Sequence, residues 1–179
     1  MWEPPPGHPL RRMFAGVTEH AFITTLGVAD PPLIDYLALL LARFLHADDL
    51  YRFKGRDGKP LAELTAMAVA ADRLPAAGPP RREAHRHVGD FALFWSGFFA
   101  DNVSRKPALD RRAEFALLGK RSYGIAAAFD RGPFAAEAPL LRRLCDEFEL
   151  CAAGLHEVRR EFDELGQRPP DAGGGLIRP

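Results

Sequence analysis

Apolar residues near the C-terminus recur in alternating steps of three and four: Leu141, Leu144, Phe148, Cys151, Leu155, Val158, Phe162 and Leu165. A straight α-helix keeps positions so spaced on one face, and that face must pack against something. The spacing predicts one long C-terminal helix, beginning after Gly132-Pro133 and running to about Gly166. It also predicts the class of protein, helices packed on helices. The residues beside the seam change along its length. In the first half they are Leu140, Cys145, Ala152 and Gly154, with Glu147 the exception; in the second they are Arg159 and Glu161. The first half therefore reads as a broad apolar face buried inside a bundle. The last turns keep a narrow stripe, as in an exposed zipper. Val158, Arg159, Glu161, Phe162 and Leu165 are accordingly the candidate interaction residues.

The same patterning predicts about five helices upstream. Met13, Phe14, Val17, Ala21 and Thr24 follow a helical period that Gly27 can end in the left-handed conformation. Asp30-Pro31-Pro32 reads as a helix start, with Asp30 capping free amides and Pro31 in the first turn, where no amide is needed. The helix behind it carries Ile34, Leu37, Leu41 and Phe44, with Leu33, Leu40 and Leu45 widening the stripe, and should be central. Between Asp48 and Pro60, Tyr51 and Phe53 alternate before Asp57-Gly58, which fits a small hairpin. A third helix starts at Leu61 and runs to about Leu74, a fourth from about Arg81 to Asn102, and a fifth from Pro107-Asp110 past Phe129. Proline and glycine separate them.

The chain has 179 residues, enough for one domain with a core. The expected organisation is a Pro-rich arm over 1–12, a helical bundle domain over 13–166 and a flexible Pro/Gly-rich tail over 167–179. Lys and Arg number 24 and so do Asp and Glu, so no net field favours nucleic acid or an anionic membrane. Cys145 and Cys151, six apart on one predicted helix, sit on different faces and cannot bridge to each other. No Cys-x-x-Cys motif exists, which suits reduced thiols in a cytoplasm. The N-terminal segment lacks the apolar core of a signal peptide, and the longest apolar stretch, Leu37 to Ala42, is too short to span a bilayer. A cytoplasmic protein is expected.

Candidate chemistry concentrates on the fourth helix. Glu83, His87 and Asp90 are spaced four and then three apart, so they project from one face and can bind a divalent metal or shuttle a proton. The plainer reading is a half-buried helix surface with ordinary Glu83–His87 and Arg86–Asp90 pairs. His20 and His156 can complete a metal or small-ligand site if three helices converge, and His20, His87 and His156 are each candidates for a single haem ligand. No Glu-x-x-His pair of the di-metal bundles occurs, and no cofactor is required by the sequence. Phe91, Phe94, Trp95 and Phe98 form a stripe that reads as core. Gly89 and Gly97, eight apart, can admit a close neighbouring helix. Ser122 and Tyr123 beside Lys120 invite a catalytic reading. No Gly-x-Ser-x-Gly elbow supports it, and a helical hydroxyl ordinarily bonds back to a carbonyl one turn earlier. Arginine doublets at Arg11-Arg12, Arg81-Arg82, Arg111-Arg112, Arg142-Arg143 and Arg159-Arg160 would line a phosphate track only if they converged. Their acidic neighbours argue for solvated faces instead.

The run Gly89-Asp90-Phe91-Ala92-Leu93-Phe94-Trp95-Ser96-Gly97-Phe98-Phe99, followed by Gly119-Lys120-Arg121-Ser122-Tyr123, resembles a pattern of uncharacterised bacterial all-helical proteins. The resemblance covers two helices. It implies a helical fold and a bacterial source, and assigns no activity to any residue. The sequence expectation is a non-enzymatic helical interaction protein, acting as an adaptor, accessory subunit or homo-oligomer. The alternative is a bundle that binds a metal, haem or small ligand between helices.

Overall fold

The computed structural model describes residues 4–44, 59–100 and 108–167. The expected hairpin around Tyr51 and Phe53 lies outside the described residues, as does the tail beyond 167. The described residues form an all-α single bundle of seven helices. Helix α1 spans Pro9–His20, so it takes in the last residues of the segment read as an arm, and Leu10 packs partly against the core. It runs on into a π turn over Ala21–Thr25, where the Leu26 amide donates to Ala21 O at 3.2 Å. The wider turn carries Phe22 into the core, where its ring lies directly on Gly154. Gly27 follows at φ 69°, the left-handed stop expected of it.

Helix α2, Pro31–Phe44, opens as its sequence predicts: Asp30 Oδ1 accepts the Leu33 amide at 3.2 Å. Its buried side chains surround it, and it is a central helix. Helix α3 spans Lys59–Asp72, α4 Pro79–Gly97 and α5 Ala108–Ala127. Helix α4 leaves its regular path at Phe98–Phe99, short of the expected Asn102. Its aromatic stripe is core: Phe91, Phe94, Trp95 and Phe98 are all buried. Phe94 stacks on Phe44 of α2 at 4.8 Å and on Phe98 at 5.9 Å. Helices α4 and α5 are antiparallel, since His85 meets Ser122 while Ala92 lies near Gly119. Gly97 meets the backbone of Ala152 rather than α5, so the two glycines of α4 admit two different neighbours.

The C-terminal seam is not one helix. It divides into α6, Ala138–Asp146, and α7, Phe148–Gln167, with Glu147 at φ −107° and ψ 29° between them. Backbone bonds bracket the break, from Glu147 N to Arg143 O at 2.8 Å and from Cys151 N to Glu147 O at 2.9 Å. The four-residue step from Leu144 to Phe148 is the step an unbroken helix would show, so the apolar spacing carries no mark of the break. Both sides of it stay in the core, and Leu141, Leu144, Phe148, Cys151, Leu155 and Val158 are fully buried.

Candidate functional site

Asp90 is a buried carboxylate on the inner side of α4, 1% exposed and bonded from three side chains. Tyr36 of α2 donates its hydroxyl to Asp90 Oδ1 at 2.6 Å, and Tyr123 of α5 donates to the same oxygen at 2.9 Å. Arg43 of α2 donates to Oδ2 at 3.1 Å. Its guanidinium also lies 5.8 Å from the Tyr36 ring centroid. A buried carboxylate is tolerated only when paired and hydrogen-bonded, and three donors from two other helices meet that condition. Burial, and then the charge of Asp90, hold the hydroxyls of Tyr36 and Tyr123 well above the ordinary phenol range. Both phenols therefore stay protonated and act as donors.

His87 lies one turn before Asp90. Its ring stacks on Phe44 at 5.9 Å and 11°, and burial lowers its basicity, so it is a neutral imidazole near pH 7. His87 Nδ1 and Arg43 Nε are buried with no hydrogen-bond partner among the described residues. Glu83 is exposed and bound by Arg82 and by Arg86, whose Nε reaches it at 3.0 Å. The Glu83–His87 and Arg86–Asp90 surface pairs are thus replaced by Glu83–Arg86 and Asp90–Arg43. Their side chains are drawn apart by different depths of burial. Burying its guanidinium works against the charge of Arg86, but the carboxylates of Asp90, Glu83 and Glu137 outweigh this and hold it protonated.

The three histidines proposed as ligands serve different contacts. His20 is exposed and pairs with Glu161 at 3.0 Å, so one candidate ligand meets one candidate interaction residue. His156 is half-buried on α7, with Nδ1 enclosed. No three His, Cys, Asp or Glu side chains are grouped to hold a metal ion among the described residues.

A second polar cluster joins α3, α4 and α5. Ser122 Oγ is 3.5 Å from His85 Nδ1, and His85 Nε2 is 3.4 Å from Asp72 Oδ1. The order is that of a Ser-His-Asp relay. The chemistry does not follow, because Ser122 and His85 are completely buried and a nucleophile without surface cannot meet a substrate. Asp72 is held instead by Arg121 through two bonds of 3.0 Å, and Arg81 donates to Asp72 O at 2.6 Å. The Arg121 hydrogen bonds keep the Asp72 carboxyl below the usual carboxylate range. The back-bonding expected of Ser122 is found at Ser96, which donates to Ala92 O at 2.8 Å. Ser122 and Tyr123 point across to α4.

Among the predicted interaction residues, Val158 is buried and Phe162 stacks on Phe14 at 5.8 Å. Arg159 lies over the rings of Phe98 and Phe99 and pairs with Asp163 at 2.7 Å. Leu165 is 52% exposed. Three further large apolar side chains are exposed among the described residues: Ile23 of the π turn, at 43%, Val69 of α3, at 46%, and Leu117 of α5, at 69%. Helices α3 and α5 run parallel, because each is antiparallel to α4. The Asp72–Arg121 pair sets their level. Val69 lies three residues before Asp72 and Leu117 four before Arg121, so both sit one turn from that pair on the outer side. Ala66, Ala70 and Ala113 are exposed beside them, with Glu114 towards one end and Arg73 towards the other. Several arginines of the doublets are held by acidic partners among the described residues. Arg82 is paired with Glu137, Arg143 with Asp30 and Glu147, and Arg160 with Glu157.

Tyr36 and Arg43 were not legible as site residues. The available signal was one arginine in the apolar second half of the helix, seven residues and two turns from a tyrosine on the same face.

Comparison of this chain with protein families, curated proteins and solved structures finds no match. The pattern at Gly89–Phe99 and Gly119–Tyr123 has a packing explanation within this fold. Gly89 makes room for Tyr123, Gly119 makes room for Phe148, and Asp90 takes the Tyr123 hydroxyl.

Proposed function

We propose that this chain is a non-enzymatic helical protein that works by contact with another protein or with itself. One observation carries the reading: Val69 and Leu117 stand exposed, at one level, on neighbouring parallel helices. Exposed large apolar side chains at one level on neighbouring helices are the feature of this surface that suits a contact. The carboxylates support it, since buried Asp90 and half-buried Asp72 both bond to neighbouring helices and so act as internal ties. The test is to follow complex formation by light scattering and by capture of partners from the source cell, for the wild type and for a Val69→Glu, Leu117→Glu double variant. Complexes lost in the folded double variant are the expected result. A wild type that stays monomeric and captures nothing absent from the double variant overturns the proposal.

A second reading is a small ligand or metal between α2 and α4. It is favoured by the enclosed, unpartnered Arg43 Nε and His87 Nδ1 beside Asp90. Titration calorimetry with zinc and absorption spectroscopy with haemin test it. Responses that His87→Ala leaves unchanged overturn it.

A further inference from the structure

We infer that Asp72, His85 and Arg121 form an acid-operated latch between α3 and α5: when His85 takes up a proton it claims Asp72, and Arg121 lets go. The latch belongs to the single chain and does not depend on the contact reading. Its ground is a competition for one carboxylate oxygen. Asp72 Oδ1 accepts from Arg121 at 3.0 Å and from Arg81 at 3.4 Å, and His85 Nε2 lies 3.4 Å from the same atom. A carboxylate oxygen offers about two lone-pair directions, and the two arginines take them. His85 Nε2 is accordingly enclosed without a hydrogen bond, while its Nδ1 is 3.5 Å from Ser122 Oγ. A neutral imidazole tolerates this arrangement. An imidazolium has a donor on each nitrogen, and one that is completely buried must find an acceptor inside the fold. Asp72 is the anion within reach, and because it is only half-buried it also gives the proton a way in from solvent.

The charged groups acting on His85 are Asp72 from α3, Arg81 from its own helix and Arg121 from α5. Its protonation sets three cations around one carboxylate, and the most weakly held must leave. Arg81 is 19% exposed and also donates to the carbonyls of Asp72 and Leu74, at 2.6 Å and 3.0 Å. Arg121 is held through its two bonds to the carboxylate and is 48% exposed, so it can turn into water at little cost. Once it has turned away, its charge no longer opposes the proton. Release and protonation therefore favour each other. The result is that acid unties the C-terminal end of α3 from α5, one turn from Val69 and Leu117.

The experiment is a nuclear magnetic resonance titration of the full chain from pH 8 to pH 5, with circular dichroism at each step to mark where the fold as a whole is lost. The His85 ring and the Arg121 guanidinium are followed together, the second assigned by its loss in Arg121→Lys. Within the folded range, the Arg121 signal should shift from that of a bound guanidinium to that of a free one. Its midpoint should coincide with the His85 midpoint, below 6.5, and the Arg81 signal should stay bound. In His85→Gln the Arg121 signal should not move over the same range. Comparing the two midpoints in the wild type decides the question even if that variant fails to fold. The inference is overturned if Arg121 stays bound while His85 titrates, if Arg81 is released in its place, or if folded His85→Gln responds to pH as the wild type does. A His85 that takes no proton until the whole fold is lost overturns it as well.

Discussion

Gly89 lies directly beneath the ring of Tyr123, so that a Cβ added there would come within 2.7 Å of the ring carbons. The missing side chain lets Tyr123 cross α4 and reach Asp90, the next residue along. Gly89→Ala would push the ring away and strain the core. The expected loss is about 1–3 kcal/mol of stability, read by denaturant unfolding. Tyr123→Phe should restore little in that background, since the hydroxyl has already lost its acceptor.

Replacing the acceptor is expected to cost more than replacing one donor. Asp90→Leu leaves the Arg43 guanidinium buried without its counter-ion, which costs about 3–5 kcal/mol. Tyr123→Phe removes one of two hydroxyls from an oxygen that keeps the other, with an expected cost of about 1.5–3 kcal/mol for a bond to a charged group. Urea midpoints at neutral pH order the two. Asp90→Leu as stable as Tyr123→Phe would remove Asp90 from the centre of the account.

Stability should fall on mild acidification. Burial lowers the affinity of His85 and His87 for a proton below the ordinary histidine value of 6.5. The unfolded chain then binds protons that the folded chain refuses. Their contribution is complete above pH 6.5 and is lost as pH falls from there through the folded values. Asp72 has the opposite chemistry and the same sign. Held below its ordinary value of 3.8, it stabilises the fold above that value and ceases to do so in stronger acid. Unfolding free energies measured from pH 8 to pH 5 should decline, and a His85→Gln, His87→Gln variant should flatten the decline.

Phe148→Ala or Leu155→Ala should lower the stability of the isolated chain by about 2–5 kcal/mol, because both side chains are fully enclosed. A variant that altered only the association state would overturn the assignment of the seam to the core.

Thiol reactivity should separate folded from unfolded chain. Burial pushes the Cys151 thiol up to about 12, and Cys145 is raised as well. An alkylating reagent at pH 8 should leave Cys151 intact in the native protein and modify it on unfolding, read by mass spectrometry.

Local signals were legible where one residue type answers one backbone need. Asp30 and Pro31 mark the start of α2, Gly27 ends α1, and the Phe91–Phe98 stripe finds the core. The break at Glu147 was hidden because the apolar spacing passes through it unchanged. The π turn was not read either: the helical period continues to Thr24, which is exposed, whereas the wider turn brings Phe22 into the core instead. Asp90 was visible as a candidate but not its partners. Tyr36 and Tyr123 lie 54 and 33 residues away from it. Pairing at that range depends on how α2 and α5 are stacked, which no local pattern records.

That separation also bears on how the chain reaches its fold. Helices α2, α4 and α5 can form singly from local contacts, but Asp90 gains its donors only when all three have docked in one register. A helix docked one turn out of place would bury the Arg43 cation against hydrocarbon, a far larger cost than the native network's net gain. The carboxylate thus works less as glue than as a proofreader: it raises the energy of near-miss assemblies and leaves one arrangement of the bundle accessible.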